Sequence, residues 1–542
     1  MKNNSQGKIK LYTCYALMIC IGLGVVLHIV PYFFNRSLWV DEAMLTSSIC
    51  TRSYGELIAS PLDWGQSAAV GYLFVVKTLT LIFGTSETVL RIWSLITGLG
   101  CIFLIYYILK DKVEKHYALF FTALFSLTDK FIYYGNEVKP YMSDNLCCLL
   151  TLLLWQKHKE GKVPLWKLVV IYSVLIWFSF SAVFFVAACM IIKCIELFVA
   201  LFKDKDKKQL KNLGICAIVL VSFVALYIIW LSKTSDNVGG AAYWDLLRFP
   251  LIPTSLSDVE LIIKMAWQFL HFYPLYVAGI ICALFVLYVA MSFKERKDKT
   301  NILFPFVLSL LILFVASYLG FYPIQDRLVQ VYAIILLFFA AYACNEIEHS
   351  HNISAQAGNG YWMQSFYYII LLGCMFLVGK YGLENFDRGH VYRVGSEIEK
   401  SVEYLEKNMT DDDVLYVYRK SIPVYTYEID YDMEYTELSS IPYTEVKSEP
   451  HLSGLPYVKE NIIYGQSLIH YFYQVPYSYA YEVNQAAIEE DAALITQYDS
   501  VYIFASHGES GLSTLLETLE NTGNIQIVCQ YHGTTLYRYI RE

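Results

Sequence analysis

The sequence predicts a polytopic α-helical membrane protein that carries a separate α/β domain after its last span. Of its 542 residues, 56% are apolar and only 17% are charged. This is more apolar surface than one soluble core can bury, and the apolar residues fall in long runs. From residue 381 onward the chain holds 26 acidic and 10 basic residues, whereas basic residues are in excess before it. We therefore expect a transmembrane domain over residues 1–380 and a soluble domain over residues 381–542.

Eleven apolar segments are candidate spans, namely 11–34, 87–109, 117–134, 141–156, 167–180, 182–202, 212–232, 274–293, 302–319, 328–345 and 364–380. The first follows a basic N-terminus without a small-residue cleavage site, so we expect it to be retained. Lysine and arginine collect in alternate loops, all on the side of the N-terminus. The pattern predicts a cytoplasmic N-terminus and an extracytoplasmic C-terminal domain.

The first loop, residues 35–86, is predicted to contain helices that lie in the membrane interface. Its apolar stretch at 68–83 is short, and a crossing there would invert every later loop and destroy the charge alternation. The thirteen cysteines fall mainly in apolar segments without paired or metal-ligand spacing. Neither a disulfide framework nor a metal site is therefore predicted.

The C-terminal domain alternates helical and extended patterns. These predict helices at 397–408 and 512–521 and strands at 414–418, 501–505, 525–530 and 534–540. The alternation indicates a small α/β domain. The tyrosine-rich middle, residues 423–481, has no assignment.

Three polar clusters lie on the predicted outer side. Asp41 and Glu42 follow the first span, Glu137 and Lys139 lie in a later tyrosine-rich loop, and Arg327 precedes a late span. Each has a structural alternative: a helix-starting acidic pair, an interfacial tyrosine belt with solvated charges, and a snorkelling arginine. The topology, derived without these clusters, nevertheless places all three on one surface. An acid that accepts a proton, beside cations that grip phosphate, suits group transfer from a lipid phosphate.

At these clusters the sequence resembles the protein O-mannosyltransferase and aminoarabinose transferase superfamily, which are membrane glycosyltransferases of the GT-C fold. The resemblance covers about residues 10–345 and rests on LWVDE (38–42), GQSA (65–68), LIFGTSE (81–87), LR (90–91), IYYGNEVKPY (132–141) and YPIQDR (322–327). It implies transfer of a sugar from a polyprenyl-phosphate carrier by inverting displacement at the outer surface of a membrane, here expected to be a bacterial plasma membrane. The donor would be the carrier-linked sugar, with no metal or other cofactor expected, and the acceptor a protein, lipid or polysaccharide.

The resemblance also assigns roles to residues. Asp41 matches the first-loop acid that deprotonates or orients the acceptor, Glu137 and Lys139 match the second-loop acid and cation, and Arg327 would hold the leaving phosphate. Arg91 would stabilise the fold near the site. The full set of expected catalytic residues is Asp41, Glu42 and Glu137, and the expected substrate-binding residues are Gln66, Lys139, Tyr141 and Arg327. Where many relatives have prolines, this chain has Ala68 and Ala69, so its acceptor side is expected to differ.

Other classes of protein are open alternatives. A transporter or lipid flippase would favour ionisable residues in the middle of spans and internal repeats, and neither is evident. A receptor anchored by eleven spans has more membrane helices than anchoring needs. Ser506-His507 lacks the Gly-x-Ser-x-Gly elbow of a hydrolase. No nucleic-acid partner is expected.

Overall fold

The computed structural model describes residues 2–34, 36–203, 205–234, 248–295, 300–355, 373, 375–376, 379–380, 397–410, 412–429, 457–459, 461–465, 469–475, 478–483, 485–506 and 510–542. The helices of the membrane part are α1 (Lys2–Phe33), α2 (Val40–Thr51), α3 (Tyr54–Ala59), α4 (Val70–Phe83), α5 (Glu87–Leu109), α6 (Lys115–Ser126), α7 (Asp129–Tyr134), α8 (Tyr141–Lys159), α9 (Leu165–Phe178), α10 (Phe180–Lys203), α11 (Gln209–Thr234), α12 (Leu256–Gln268), α13 (Leu275–Glu295), α14 (Leu303–Tyr318) and α15 (Asp326–Ala355).

The chain is an integral membrane protein. Within the described ranges, six helices are long and apolar enough to cross a membrane: α1, α5, α10, α11, α13 and α15. Helices α4, α9 and α14 are apolar but shorter. The most apolar stretch of α15 is 94% buried inside the protein, against 17% for α11. Helix α15 is therefore the central helix, and α11 presents its apolar side chains outward, as a helix facing lipid does.

Most predicted spans correspond to one helix each, but one does not. The segment predicted as a span at 117–134 is two helices, α6 and α7, with Thr128 between them. The charged pair Asp129 and Lys130 interrupts the apolar run there, and Asp129 lies in the first turn of a new helix. The predicted span at 364–380 lies largely outside the described residues. The first loop does contain short helices, α2, α3 and α4, and their location in the membrane interface remains a prediction.

The C-terminal domain is built on a six-stranded mixed sheet. Its helices are α16 (Ile398–Asn408), α17 (Ile422–Glu428), α18 (Gln485–Ile495) and α19 (Ser510–Glu520), and its strands are β1 (Val414–Val417), β2 (Tyr457–Lys459), β3 (Ile462–Tyr464), β4 (Ile469–Val475), β5 (Ser478–Val483), β6 (Ser500–Ser506), β7 (Gly523–Tyr531) and β8 (Thr534–Arg541). The sheet order is β2-β3-β1-β6-β8-β7, and β4 pairs with β5 separately. Strand β1 is parallel to β3 and β6. The helices and strands predicted for this domain are confirmed within one or two residues at each end.

One face of this sheet packs on the membrane part. Successive residues of a strand point to opposite faces, so Leu415 and Val417 lie on one side of β1 and Val414 and Tyr416 on the other. The first pair shares a hydrophobic core with α16, α17 and helix α2 of the first loop. The second pair packs with α18 and α19 in a separate core. The C-terminal domain is thus docked on α2 through a continuous apolar core. The predicted boundary near residue 381 lies at the edge of an undescribed stretch and remains a prediction.

Candidate active site

Helix α2 carries the adjacent acids Asp41 and Glu42 in its first turn. The backbone N–H of Trp39, the residue before the helix, donates to Oε2 of Glu42 at 2.9 Å. A glutamate in the third helical position commonly accepts this capping hydrogen bond from the residue before the helix. The negative charges of Asp41 and Glu42 also interact favourably with the positive end of the helix dipole. Glu42 therefore has the structural role that the sequence analysis gave as the alternative for the acidic pair, which is to start a helix.

Glu42 is also the centre of a buried charge cluster. Its carboxylate is fully buried and lies 3.1 Å from Nη1 of Arg36 and 3.0 Å from Nη2 of Arg91. The backbone N–H of Val138 donates to the other carboxylate oxygen at 2.8 Å. Burial alone would raise the pKa of Glu42, but the two guanidiniums lower it to about 2. We call Glu42, Arg36 and Arg91 the acid–arginine hub. It joins the first loop to α5 and to the loop before α8.

The loop that precedes α8, residues 135–140, is held by its backbone. Nη2 of Arg36 donates to the carbonyl of Asn136 at 3.0 Å, and Oγ of Ser94 donates to the carbonyl of Glu137 at 2.6 Å. The backbone N–H of Lys139 donates to the same carbonyl of Glu137 at 2.8 Å. These contacts fix the positions from which the side chains of Glu137 and Lys139 leave the loop.

Glu137 is a buried acid with spare acceptor capacity. The hydroxyl of Tyr133 donates to Oε1 of Glu137 at 3.0 Å, while Oε2 has no hydrogen-bond partner within the described part of the chain. Burial and the nearby charge of Glu42 raise the pKa of Glu137 to about 7. A carboxyl group that titrates near neutrality, inside a polar site, is typical of functional positions.

Lys139 and Gln66 meet across the site. The ammonium of Lys139 donates to Oε1 of Gln66 at 2.6 Å. Gln66 follows a turn in which Trp64 and Gly65 both have left-handed backbone conformations, with φ of 56° and 65°. Such a conformation is uncommon for a residue with a side chain and marks a constrained turn. Burial lowers the pKa of Lys139, and the carboxylate of Asp41 opposes this shift.

Asp41 and Arg327 form an accessible ion pair. Nη1 of Arg327, at the start of the central helix α15, lies 3.3 Å from Oδ2 of Asp41. The two side chains are 31% and 36% exposed, so a substrate can reach both. Burial alone would raise the pKa of Asp41, but Lys139 and Arg327 lower it below its ordinary value. Asp41 is therefore ionised at neutral pH.

Tyr141 belongs to an aromatic wall beside this pair. Its ring packs edge-on against Tyr134 at a centroid distance of 5.2 Å. The hydroxyl of Tyr134 donates to Oδ2 of Asp326 at 3.4 Å, and Nε2 of His271 lies 3.0 Å from the same oxygen. Asp326 directly precedes Arg327 in α15. The aromatic wall therefore borders the arginine.

The structure brings the predicted site residues together and adds others that the sequence analysis did not assign. Arg36 contacts Glu42. Its position a few residues before the acidic pair was the feature of the sequence from which this contact could have been predicted. Lys420 of the C-terminal domain is near enough to Asp41 to contribute to the lowering of its pKa. The signal for this residue was the basic pair Arg419-Lys420 directly after a predicted strand in an acidic domain.

The fold and the site together define a class of protein. A bundle of apolar helices holds acids and cations at one end, and an α/β domain is docked over the same end. This is a polytopic membrane protein with a C-terminal α/β domain, the architecture that the resemblance to the GT-C fold leads us to expect. Within the described ranges, no group of three or more His, Cys, Asp or Glu side chains is placed to hold a metal ion.

Solved structures with this architecture include ArnT from Cupriavidus metallidurans. The chain aligns with its apo structure at 12% identity and a TM-score of 0.50, covering 96% of this chain and 97% of ArnT. It aligns with ArnT bound to undecaprenyl phosphate at 11% identity, with the same TM-score and coverage. Arabinosyltransferase EmbB from Mycobacterium smegmatis gives a TM-score of 0.36 and 12% identity over 60% of this chain and 29% of EmbB. At these identities the ArnT likeness establishes the fold. No protein-family model matches the chain, and no curated protein sequence matches it.

Proposed function

We propose that the protein is a glycosyltransferase that moves a sugar from a polyprenyl-phosphate carrier to an acceptor hydroxyl or amine. The observation that carries this proposal is the accessible Asp41–Arg327 pair with Lys139 nearby. It combines a proton acceptor with cations that suit a phosphate. The ArnT structure of the same fold binds undecaprenyl phosphate, which supports a carrier of this class.

The arrangement supports a single inverting displacement. The acceptor oxygen or nitrogen forms a bond to the anomeric carbon while the bond from that carbon to the phosphate oxygen breaks. The acceptor proton passes to the carboxylate of Asp41. The electron pair of the broken bond leaves with the carrier phosphate, whose growing charge is balanced by Arg327 and Lys139. Attack and departure on opposite faces of the sugar carbon invert its configuration.

The other predicted residues serve this chemistry in different ways. Glu137 is buried beside the phosphate-binding cations, so its ionisation sets the charge that the phosphate meets. Gln66 holds the ammonium of Lys139 in place. Both carboxylate oxygens of Glu42 are occupied by Arg36, Arg91 and the backbone N–H of Val138. In this proposal Glu42 is therefore a positioning residue.

We further propose that the site faces the outside of a bacterial plasma membrane. The basic loops collect at the other end of the bundle, where Lys112 lies 2.7 Å from Glu160 and Lys159 lies 2.6 Å from Glu196. By the charge rule for membrane proteins, that end is cytoplasmic. A reporter fused to the C-terminus tests this: alkaline phosphatase should be active there and green fluorescent protein dark. The reverse pattern would refute the orientation.

A deletion strain of the source organism tests the activity. Mass spectrometry of its envelope glycans and lipid-linked sugars should show loss of one glycan modification and accumulation of a polyprenyl-phosphate sugar. A plasmid carrying the wild-type gene should restore both. Unchanged glycans together with unchanged lipid-linked sugars would overturn the proposal and favour the transporter alternative.

A further inference from the structure

A short turn of the C-terminal domain lies at the junction with the membrane part. Residues Arg419–Ser421 form one helical turn, separated from β1 only by Tyr418. The backbone N–H of Tyr418 donates to the carbonyl of Phe504 in β6 at 3.0 Å. Ser421 accepts from the backbone N–H of Ser506 at 2.7 Å and donates to the carbonyl of Ser506 at 3.1 Å. The turn is thus fixed to the carboxyl ends of two parallel strands, the edge at which α/β sheets commonly bind ligands.

The residues on either side of Lys420 are anchored to the first loop. The side chain of Arg419 is fully buried, with its guanidinium carbon 5.6 Å from the centre of the Trp64 ring. On the other side, Ile422 at the start of α17 shares the core of Val40 in α2. Trp64 belongs to the constrained turn before Gln66, and Val40 directly precedes Asp41. Lys420 is therefore held beside the two segments that carry predicted site residues.

Three cations surround the acid that the proposed mechanism uses as proton acceptor. Arg327 contacts Asp41 at 3.3 Å, and Lys139 and Lys420 lie near enough to join it in lowering the pKa of Asp41 against the opposing effect of burial. The donor is a phosphodiester with one negative charge, whereas a phosphate monoester carries about −1.5 to −2 near neutral pH. A third cation therefore matches the additional charge that the carrier phosphate acquires when its bond to the sugar breaks.

We propose that Lys420 of the C-terminal domain is a phosphate-binding residue of the active site that preferentially stabilises the leaving carrier monophosphate. This inference rests on the proposed function and specifies what the C-terminal domain contributes to it. A cation that interacts more strongly with the monoester product than with the diester donor favours the transition state over the ground state. Lys420 would thus affect the rate of transfer more than the binding of the donor.

Two lipid probes separate this role from a structural one. The full-length protein in nanodiscs is titrated with undecaprenyl phosphate and with its methyl diester, which carries one charge, and binding is followed by thermophoresis at pH 8. Lys420→Met should weaken binding of the monoester about tenfold and binding of the diester by less than threefold. Lys420→Arg should keep both affinities within about threefold of wild type, because it retains the charge.

The matched control is Lys407→Met. Lys407 is an exposed lysine of the same domain that pairs with Glu403, and we expect no change in either affinity. Lys420→Gln provides a second neutral variant if the methionine variant elutes as aggregate. An unchanged monoester affinity in the neutral variants, or an equal loss for both probes, would overturn the role of Lys420 and leave the proposed function intact. If wild-type protein binds neither probe, both the inference and the carrier phosphate of the proposed function are refuted.

Discussion

Replacing Glu42 by glutamine tests whether the acid–arginine hub is structural. Glu42 is fully buried, and the side chains of Arg36 and Arg91 are only 10% and 3% exposed. Glutamine keeps the shape but removes the carboxylate that contacts both buried cations. Breaking a buried ion pair in this way costs about 3–5 kcal/mol. With an unfolding entropy of about 2 cal/mol/K per residue, a cooperative membrane domain of about 380 residues would lose about 4–6 °C in Tm.

The assay is heating of detergent-solubilised wild type and variant, followed by size-exclusion chromatography of the protein that remains folded. Glu56→Gln is the matched control because Glu56 caps helix α3 in the same helical position but is exposed. We expect its Tm to stay near that of wild type. A Glu42→Gln protein with wild-type Tm and no transferase activity would refute the structural role and support the prediction that Glu42 is catalytic.

Two further substitutions address the charges of the site. Because burial places the pKa of Glu137 near 7, above the ordinary value of 4.5, the folded protein binds the extra proton between those values and loses stability as the pH rises through that window. Glu137→Gln removes this loss, so it should raise Tm more at pH 8 than at pH 5, by the equivalent of about 2.5 kcal/mol. An equal shift at both pH values would contradict the raised pKa. Arg327→Ala should raise the apparent KM for the carrier-linked donor about tenfold or more, since a charge-assisted contact to phosphate is lost. An unchanged KM would remove that role from Arg327.

Local pattern predicted most of the secondary structure. The apolar runs for α5 and α10 and the strands β1, β6, β7 and β8 follow from hydrophobic length and alternation, which depend on nearby residues. The division of residues 117–134 into two helices occurs at the charged pair Asp129 and Lys130, which the apolar residues around it outweighed in the sequence pattern. The tyrosine-rich middle gave no assignment, and its helix α17 is stabilised by packing against α2, a distant part of the chain.

The site shows the same division between local and distant information. The predicted acids and cations do meet. This could be predicted because the alternation of charge along the chain assigned their loops to one end of the bundle. The hub was not predictable in detail, since Glu42 and Arg91 are 49 positions apart and their contact depends on how α2 packs against α5. Lys420 was missed because docking of the C-terminal domain on α2 is a tertiary event. The sequence signal was a basic pair in an acidic domain. Without the docked position of that domain, the sequence did not show which residues the pair approaches.

Asp41→Asn provides the most direct test of the proposed mechanism. Asp41 and Arg327 are partly exposed, and pairs of this kind contribute at most about 1 kcal/mol to stability, so the variant should fold with nearly wild-type Tm. The measurement is complementation of the deletion strain by this variant, with mass spectrometry of glycans and lipid-linked sugars. Our account predicts normal expression, no restored glycan and a persistent carrier-linked sugar. Full restoration by the Asp41→Asn protein would contradict the proposed mechanism.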